Sequence, residues 1–219
     1  MPRIPRLVVP NYPHHVTQRG NRRQKTFFHT QDYLAYLELI AAAKPEAGCD
    51  IWAYCLMPNH VHLVIVPEHK NSLALLFKEA HRRYTRRINF REKWRGHLWQ
   101  ERFHSFVMDE QHLNATVRYV ERNPVSAGLC EKPQDWRWSS VHAHLDSNDD
   151  ELTSVKPMLE RFPDWGDYLG DFQSNELLRN IRKHTRTGRP LGSEGFIETL
   201  ESLTGRSLKP LKPGRKPIK

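Results

Sequence analysis

Two histidines, His60 and His62, stand two residues apart in "CLMPNHVHLVIVPEHK", ahead of a branched apolar run. In a strand, residues i and i+2 face the same side. Both imidazoles would then project together, with Val61, Leu63 and Ile65 turned the other way. Neutral imidazole is a common metal ligand, and two on one strand make a half-site that needs one or two further donors. The same pattern also fits a strand that simply carries histidines on its polar face. A second pair lies in "VRYVERNPVSAG". If residues 110–123 are helical, Tyr119 and Asn123 stand one turn apart on one face. Tyrosine offers a phenolic nucleophile and asparagine a neutral oxygen ligand. The plainer readings are a core aromatic and a helix-terminal residue before Pro124.

These side chains need elements to position them. "HHVTQRG" reads as a strand ending at Gly20, followed by the basic loop "NRRQKTFF". Leu34, Leu37, Ile40 and Ala41 recur at helical spacing, with Thr30 or Asp32 as cap and Pro45 and Gly48 at the end. "CDIWAYCLM" and "HVHLVIVP" form an antiparallel hairpin about Pro58 and Asn59. Residues 72–93 make a second helix capped by Ser72, apolar along Leu73, Leu76, Phe77, Ala80 and Tyr84. "HLWQERFHSFVM" is a fourth strand, and "DEQHLNATVRYVERN" a third helix stopped at Asn123-Pro124. The order predicts the ferredoxin-like α+β class, an antiparallel sheet with helices packed on one face. That unit spans residues 13–145, behind a Pro-rich basic tail at 1–12. The Trp-rich "DWRWSSVHAHL" packs back on it, and the acidic stretch around 145–151 marks a boundary. A helical extension follows at 146–205, with patterns at 154–161, 173–184 and 193–203. Residues 206–219 form a disordered basic tail.

The chain has 219 residues, 34 Lys and Arg against 25 Asp and Glu, and a net charge of +9. This excess points to a polyanionic partner, nucleic acid before membrane. No apolar run approaches membrane-spanning length. The N-terminal "MPRIPRLVVPNYPHH" lacks a secretory apolar region, so a cytoplasmic protein is expected. Cys49, Cys55 and Cys130 include no CxxC pair and read as reduced thiols. DNA contacts are expected from Arg19, Arg22 and Arg23 beside Gly20 and Asn21, and from Arg102. Arg82, Arg83, Arg86 and Arg87 form either a DNA-binding helix face or a solvated one. Trp99 and Phe28 are candidates for base stacking or for the core.

"MPNHVHLVI" followed later by "YVERNPVSAGL" resembles the single-tyrosine HUH transposases. More closely, "YPHHVTQRGNRRQ", "LWQERFHSFVMD", "NPVSAGL" and "WRWSS", in that order, resemble the REP-associated tyrosine transposases. The resemblance covers residues 10–145 well. "TRTGRPLGSEGFIETLE" and the basic tail are similar to the C-terminal region of that branch, less specifically. The resemblance implies a ferredoxin-like nuclease domain that cleaves single-stranded DNA beside a hairpin, through a covalent 5′-phosphotyrosine. It implies Mg²⁺ or Mn²⁺, with His60 and His62 as ligands and Tyr119 as nucleophile. Asn123 takes the place of the third ligand, a glutamine in related insertion-sequence transposases. Ser126 stands where arginine is frequent, which would alter a DNA contact. The region around Gly20 would read a short single-stranded tag. The branch implies a monomer with Tyr119 acting in cis, with the dimer of insertion-sequence relatives as the alternative. Phenol has a pKa of about 10, so a group must accept its proton or stabilise the phenolate, and His104 and Glu121 are the candidates. Two other readings stay open. One is a non-catalytic DNA-binding protein that keeps the fold. The other is a zinc hydrolase, which would want a carboxylate base near the histidines; the nearest, Glu68, lies past Pro67.

Overall fold

The structure is a computed structural model that describes residues 6–170 and 174–209. Residues 1–5 and 210–219, which hold the start of the N-terminal tail and most of the basic C-terminal tail, lie outside the described residues.

The predicted order is found: β1 (His14–Arg19), α1 (Thr30–Ala47), β2 (Cys49–Met57), β3 (His60–Pro67), α2 (Ser72–Glu92), β4 (His104–Val107) and α3 (Glu110–Glu121). The four strands form one antiparallel sheet in the order β2-β3-β1-β4. The α+β class holds, but helices cover both faces of the sheet. On one side α1 and α2 pack on Val16, Tyr54, Leu56, Val61, Leu63 and Ile65. On the other, α3 and the C-terminal helices pack on Ala53, Cys55, Met57, Val64 and Phe106. The reason lies in β2 and β4, whose second faces carry small or apolar residues that also need burial.

β4 is shorter than expected, because the chain from Leu98 to Phe103 leaves the ladder after one bridge between Trp99 and Gly20. The cap of α1 is His29. Asp32, one turn in, accepts the backbone N–H groups of Phe28 and His29 at 2.9 and 3.2 Å and pairs with Arg91 of α2. Asn71 precedes α2, while Ser72 is its first residue and accepts the His69 N–H. All five apolar positions expected on α2 are buried.

α4 (Asn123–Ser126) and α5 (Val141–Leu145) follow α3, and the extension folds as α6 (Lys156–Leu159), α7 (Trp165–Gly170), α8 (Asn175–Thr187) and α9 (Glu194–Thr204). "WRWSS" covers the β2 edge: Leu56 N–H donates to Trp138 O and Ser140 N–H to Tyr54 O, and Trp138 stacks on Tyr33. Residues 6–12 do not hang free as a tail. Leu7 and Val9 are buried against Val107, Leu200 and Leu208. The three cysteines are free. No helix among the described residues is long and apolar enough to cross a membrane.

His14 shows how this core constrains pH. Its Nδ1 donates to Tyr12 O at 2.8 Å, and its Nε2 accepts Val9 N–H at 3.1 Å. Protonation would destroy that acceptor, and burial already lowers the pKa to about 4. The unfolded chain therefore takes up a proton near pH 6.5 that the folded chain refuses. Stability should fall as pH drops from 6.5 toward 4, by about 1.4 kcal/mol per pH unit from this group. Urea unfolding at stepped pH should show a slope that His14→Gln reduces by about one proton.

Candidate active site

The site is a row across the sheet. Antiparallel pairing sets Cys55, His62, Thr17 and His104 opposite one another on four successive strands. Directly opposed residues share a face, so His104 is brought to the histidine side. One step along, Met57, His60 and Arg19 form the next row on that face. Both histidines thus lie on the face away from α1 and α2, as the alternation of β3 predicts.

Each ring is held by its neighbours. Asn59 Nδ2 donates to Arg23 O at 3.0 Å, so its Oδ1 faces His60 Nδ1 at 2.6 Å. That makes His60 Nδ1 the N–H and leaves Nε2 with a lone pair. Burial, then the nearby Arg19, lowers the His60 pKa to about 4. Burial also holds His62 well below the ordinary range, aided by His60, His15 and Arg19. Both imidazoles are neutral at pH 7, the form that ligates metal.

Tyr119 lies in the last turn of α3 with its ring edge-on to His62, centroids 5.5 Å apart. The expected continuous helix breaks after Glu121: Arg122 has ψ 1°, and Asn123 opens the separate turn α4 ahead of Pro124. Pro124 lacks the N–H that would continue the α3 ladder and is tolerated in the first turn of a new helix. Asn123 still reaches the site, with Nδ2 3.4 Å from His62 Nε2. A half-turn of that amide exchanges nitrogen for oxygen. Two neutral imidazoles and one amide oxygen therefore fit a divalent cation. Glu68 follows the far end of β3, away from His60.

His60, His62, His104, Tyr119 and Asn123 line one cavity of about 870 Å³. Arg19 and Arg23 line it from the N-terminal side. Arg179, Arg182, Lys183 and Arg186 of α8 line it from the other, and no carboxylate is among its described lining residues. These four cations repeat at i, i+3, i+4 and i+7, one helical face. The pattern was visible in "RNIRKHTR", but the role of α8 was not anticipated. Ser174 caps α8 and Gly188 closes it at φ 67°. His15 was missed as well; its Nε2 lies 2.9 Å from His62 Nδ1.

The model of the family described as "Transposase IS200 like" matches residues 8–123, just over half the chain. The chain belongs to the IS200-like transposase family. A structure of a REP-associated tyrosine transposase bound to a REP hairpin aligns with a TM-score of 0.58 and 21% identity, covering 71% of this chain and 93% of that one. At that identity it shows a shared fold. A candidate transposase from Deinococcus radiodurans aligns with a TM-score of 0.39 and 18% identity, over 54% of this chain and 95% of that one. The search of curated proteins found no match. Family membership makes this a DNA-processing protein of the transposase type.

The transposase gathers only part of the expected DNA-contact set at the histidines. Arg82, Trp99 and Arg102 line a second cavity of about 610 Å³ beside α2. Trp99 is buried against His81 and Tyr84 rather than open for stacking. Phe28 packs partly buried against Trp94. Arg83, Arg86 and Arg87 are exposed on α2, and Asn21 and Arg22 stand in a 3-10 turn, none of them lining either cavity. Gly20 anchors that turn, since a Cβ there would lie 2.3 Å from Gln24 O.

Glu121 is not placed to take the Tyr119 proton. It is fully buried on the far side of α3 and accepts from Ser140 Oγ (2.5 Å), His144 Nδ1 (2.7 Å) and Trp165 Nε1 (2.8 Å). It ties the transposase core to its extension. Glu121→Ala should cost about 3 kcal/mol or more in urea unfolding, because three buried donors lose their acceptor. Folded Glu121→Gln should keep its DNA chemistry; loss of that chemistry at full folding would restore Glu121 as the base.

Proposed function

We propose that this transposase is a metal-dependent endonuclease and strand transferase. It acts on single-stranded DNA beside a hairpin, through a covalent 5′-phosphotyrosine at Tyr119. The observation that carries this reading is one cavity holding a tyrosine, two neutral histidines and an amide, walled by cations with no carboxylate among its described lining residues. A phosphodiester is the electrophile such a wall selects, because each backbone phosphate is an anion. The structural relative is described bound to a REP hairpin, and we take the same class of DNA for this chain.

Tyr119 Oη attacks phosphorus in line, and the bond from phosphorus to the 3′-oxygen breaks. The strand is left with a free 3′-hydroxyl and a 5′-phosphate esterified to tyrosine. Because the phosphoester is retained, a second 3′-hydroxyl can reverse the step and join a new strand. His60, His62 and Asn123 would hold Mg²⁺ or Mn²⁺, which when bound supplies Lewis acidity and charge at the scissile phosphate. Arg19, Arg23 and the α8 cations hold the flanking phosphates and neutralise charge. His104, in the same row as His62 and Thr17, is the candidate acceptor for the phenolic proton. Tyr119 stands against His62 of its own chain, which supports action in cis by a monomer.

Tyr119→Phe should abolish the covalent adduct with hairpin-bearing single-stranded DNA and Mn²⁺ on a denaturing gel, while DNA binding stays near wild type. An adduct that survives would reject the assignment. Binding without any adduct in the wild-type protein would favour a non-catalytic DNA-binding role. Replacing Arg179, Arg182 and Arg186 together by Gln should lower the slope of log affinity against log salt by about 2 for single-stranded DNA, as read by fluorescence anisotropy.

A further inference from the structure

We propose that His15 is a positioning residue for His62. With Thr185 of α8 it fixes the imidazole tautomer that leaves His62 Nε2 as a lone-pair donor toward the site. This rests on reading His60 and His62 as a metal half-site, and it assigns a role to two residues outside that set.

The proton positions follow from the far end of a hydrogen-bond chain. The Ile181 carbonyl can only accept. Thr185 Oγ1 lies 2.9 Å from it, so its single hydroxyl proton points there. Only lone pairs remain at Oγ1, and His15 Nδ1, 3.5 Å away, must be the N–H partner. A neutral ring with its proton on Nδ1 has Nε2 as acceptor. His15 Nε2 lies 2.9 Å from His62 Nδ1, so that nitrogen carries a proton and His62 Nε2 does not. Reversing the chain would ask the Thr185 hydroxyl for two protons.

The geometry fits a fixed relay. The His15 and His62 rings are parallel to within 1°, with centroids 5.1 Å apart. Joined by a hydrogen bond at that spacing, they lie edge to edge rather than face to face. Phe106 packs edge-on against His15, centroids 5.2 Å apart. Both histidines are buried, 1% and 4% exposed, so water does not replace a missing partner. Ligating histidines commonly donate their second N–H to an acceptor that sets tautomer and orientation. Here the acceptor is a second histidine, and its own tautomer is set from the C-terminal extension.

The test uses the full-length protein. Long-range ¹H–¹⁵N spectra of the metal-free, ¹⁵N-labelled wild type read the ring tautomers directly. Protons on Nδ1 of both His15 and His62 are expected; a proton on His62 Nε2 overturns the proposal. Calorimetry with Mn²⁺ alone is the second arm. His15→Phe keeps a ring but removes the acceptor, and affinity should fall about 10–100-fold. His15→Gln returns an amide oxygen near the Nε2 position and should stay close to wild type. Unchanged affinity in His15→Phe, or an equal loss in both variants, assigns His15 to packing and overturns the proposal. The tautomer spectrum decides alone if His15→Phe does not fold. Wild-type protein that fails to bind Mn²⁺ defeats the metal reading of the site, a separate failure, because the tautomer is read without metal.

Discussion

The alternation of side chains along β3 governs everything around it. This strand is paired on both edges, to β2 and to β1. Val61, Leu63 and Ile65 fill the core beneath α1 and α2, while His60, His62 and Val64 face the other way. A slip of one residue would drive both histidines into the apolar core and turn three branched residues toward the cavity. Burying two unpaired imidazoles while exposing aliphatic surface is unfavourable on both counts. The apolar core thereby holds the position of the polar site.

Pairing then recruits the rest. Once β1 is in register, Thr17 stands opposite His62 and His104, and Arg19 opposite His60. The loop after β1 is drawn to the same end of the sheet. Gly20 N–H donates to Asn59 O, and Thr26 and Phe27 N–H donate to Pro58 O. The turn that sets the Asn59 amide against His60 therefore also seats the basic loop. The other wall comes from the extension, which packs on the second sheet face through Met158, Trp165, Ile181 and Leu191 and is tied to α3 by Trp165 Nε1 donating to Glu121. Three buried donors share that carboxylate, and removing it would leave all three without an acceptor.

Local pattern revealed much of this. The strands β2 and β3 and the buried face of α2 follow from periods of two and 3.6, and the hairpin turn from Pro58-Asn59. The shared face of His60 and His62 was legible from the alternation of β3, whereas the weight given to Tyr119 and Asn123 came from the family resemblance, since their spacing also fits a core aromatic and a helix end. Other features misled. Trp99 is aromatic and lies among cations, yet it is walled in by His81 and Tyr84. Glu121 is two residues from Tyr119, and that very spacing turns it to the opposite side of the helix. The element order gave the antiparallel sheet and its first helix layer, but not the closing of the second face of β2 by helices from far along the chain.

The sequence alone determined the element order, the two faces of β3 and the excess of basic side chains. These are short-range properties, set by repeats of a few residues and by turn chemistry. Only the tertiary structure placed α8 as the cationic wall, joined His15 to His62, and removed Glu121 from the site. The physical reason is separation along the chain. His15 and Thr185 are 170 residues apart, and no local periodicity carries the packing of one element on another so distant. What brings them together is burial of the second face of the sheet, which forms only when the extension docks.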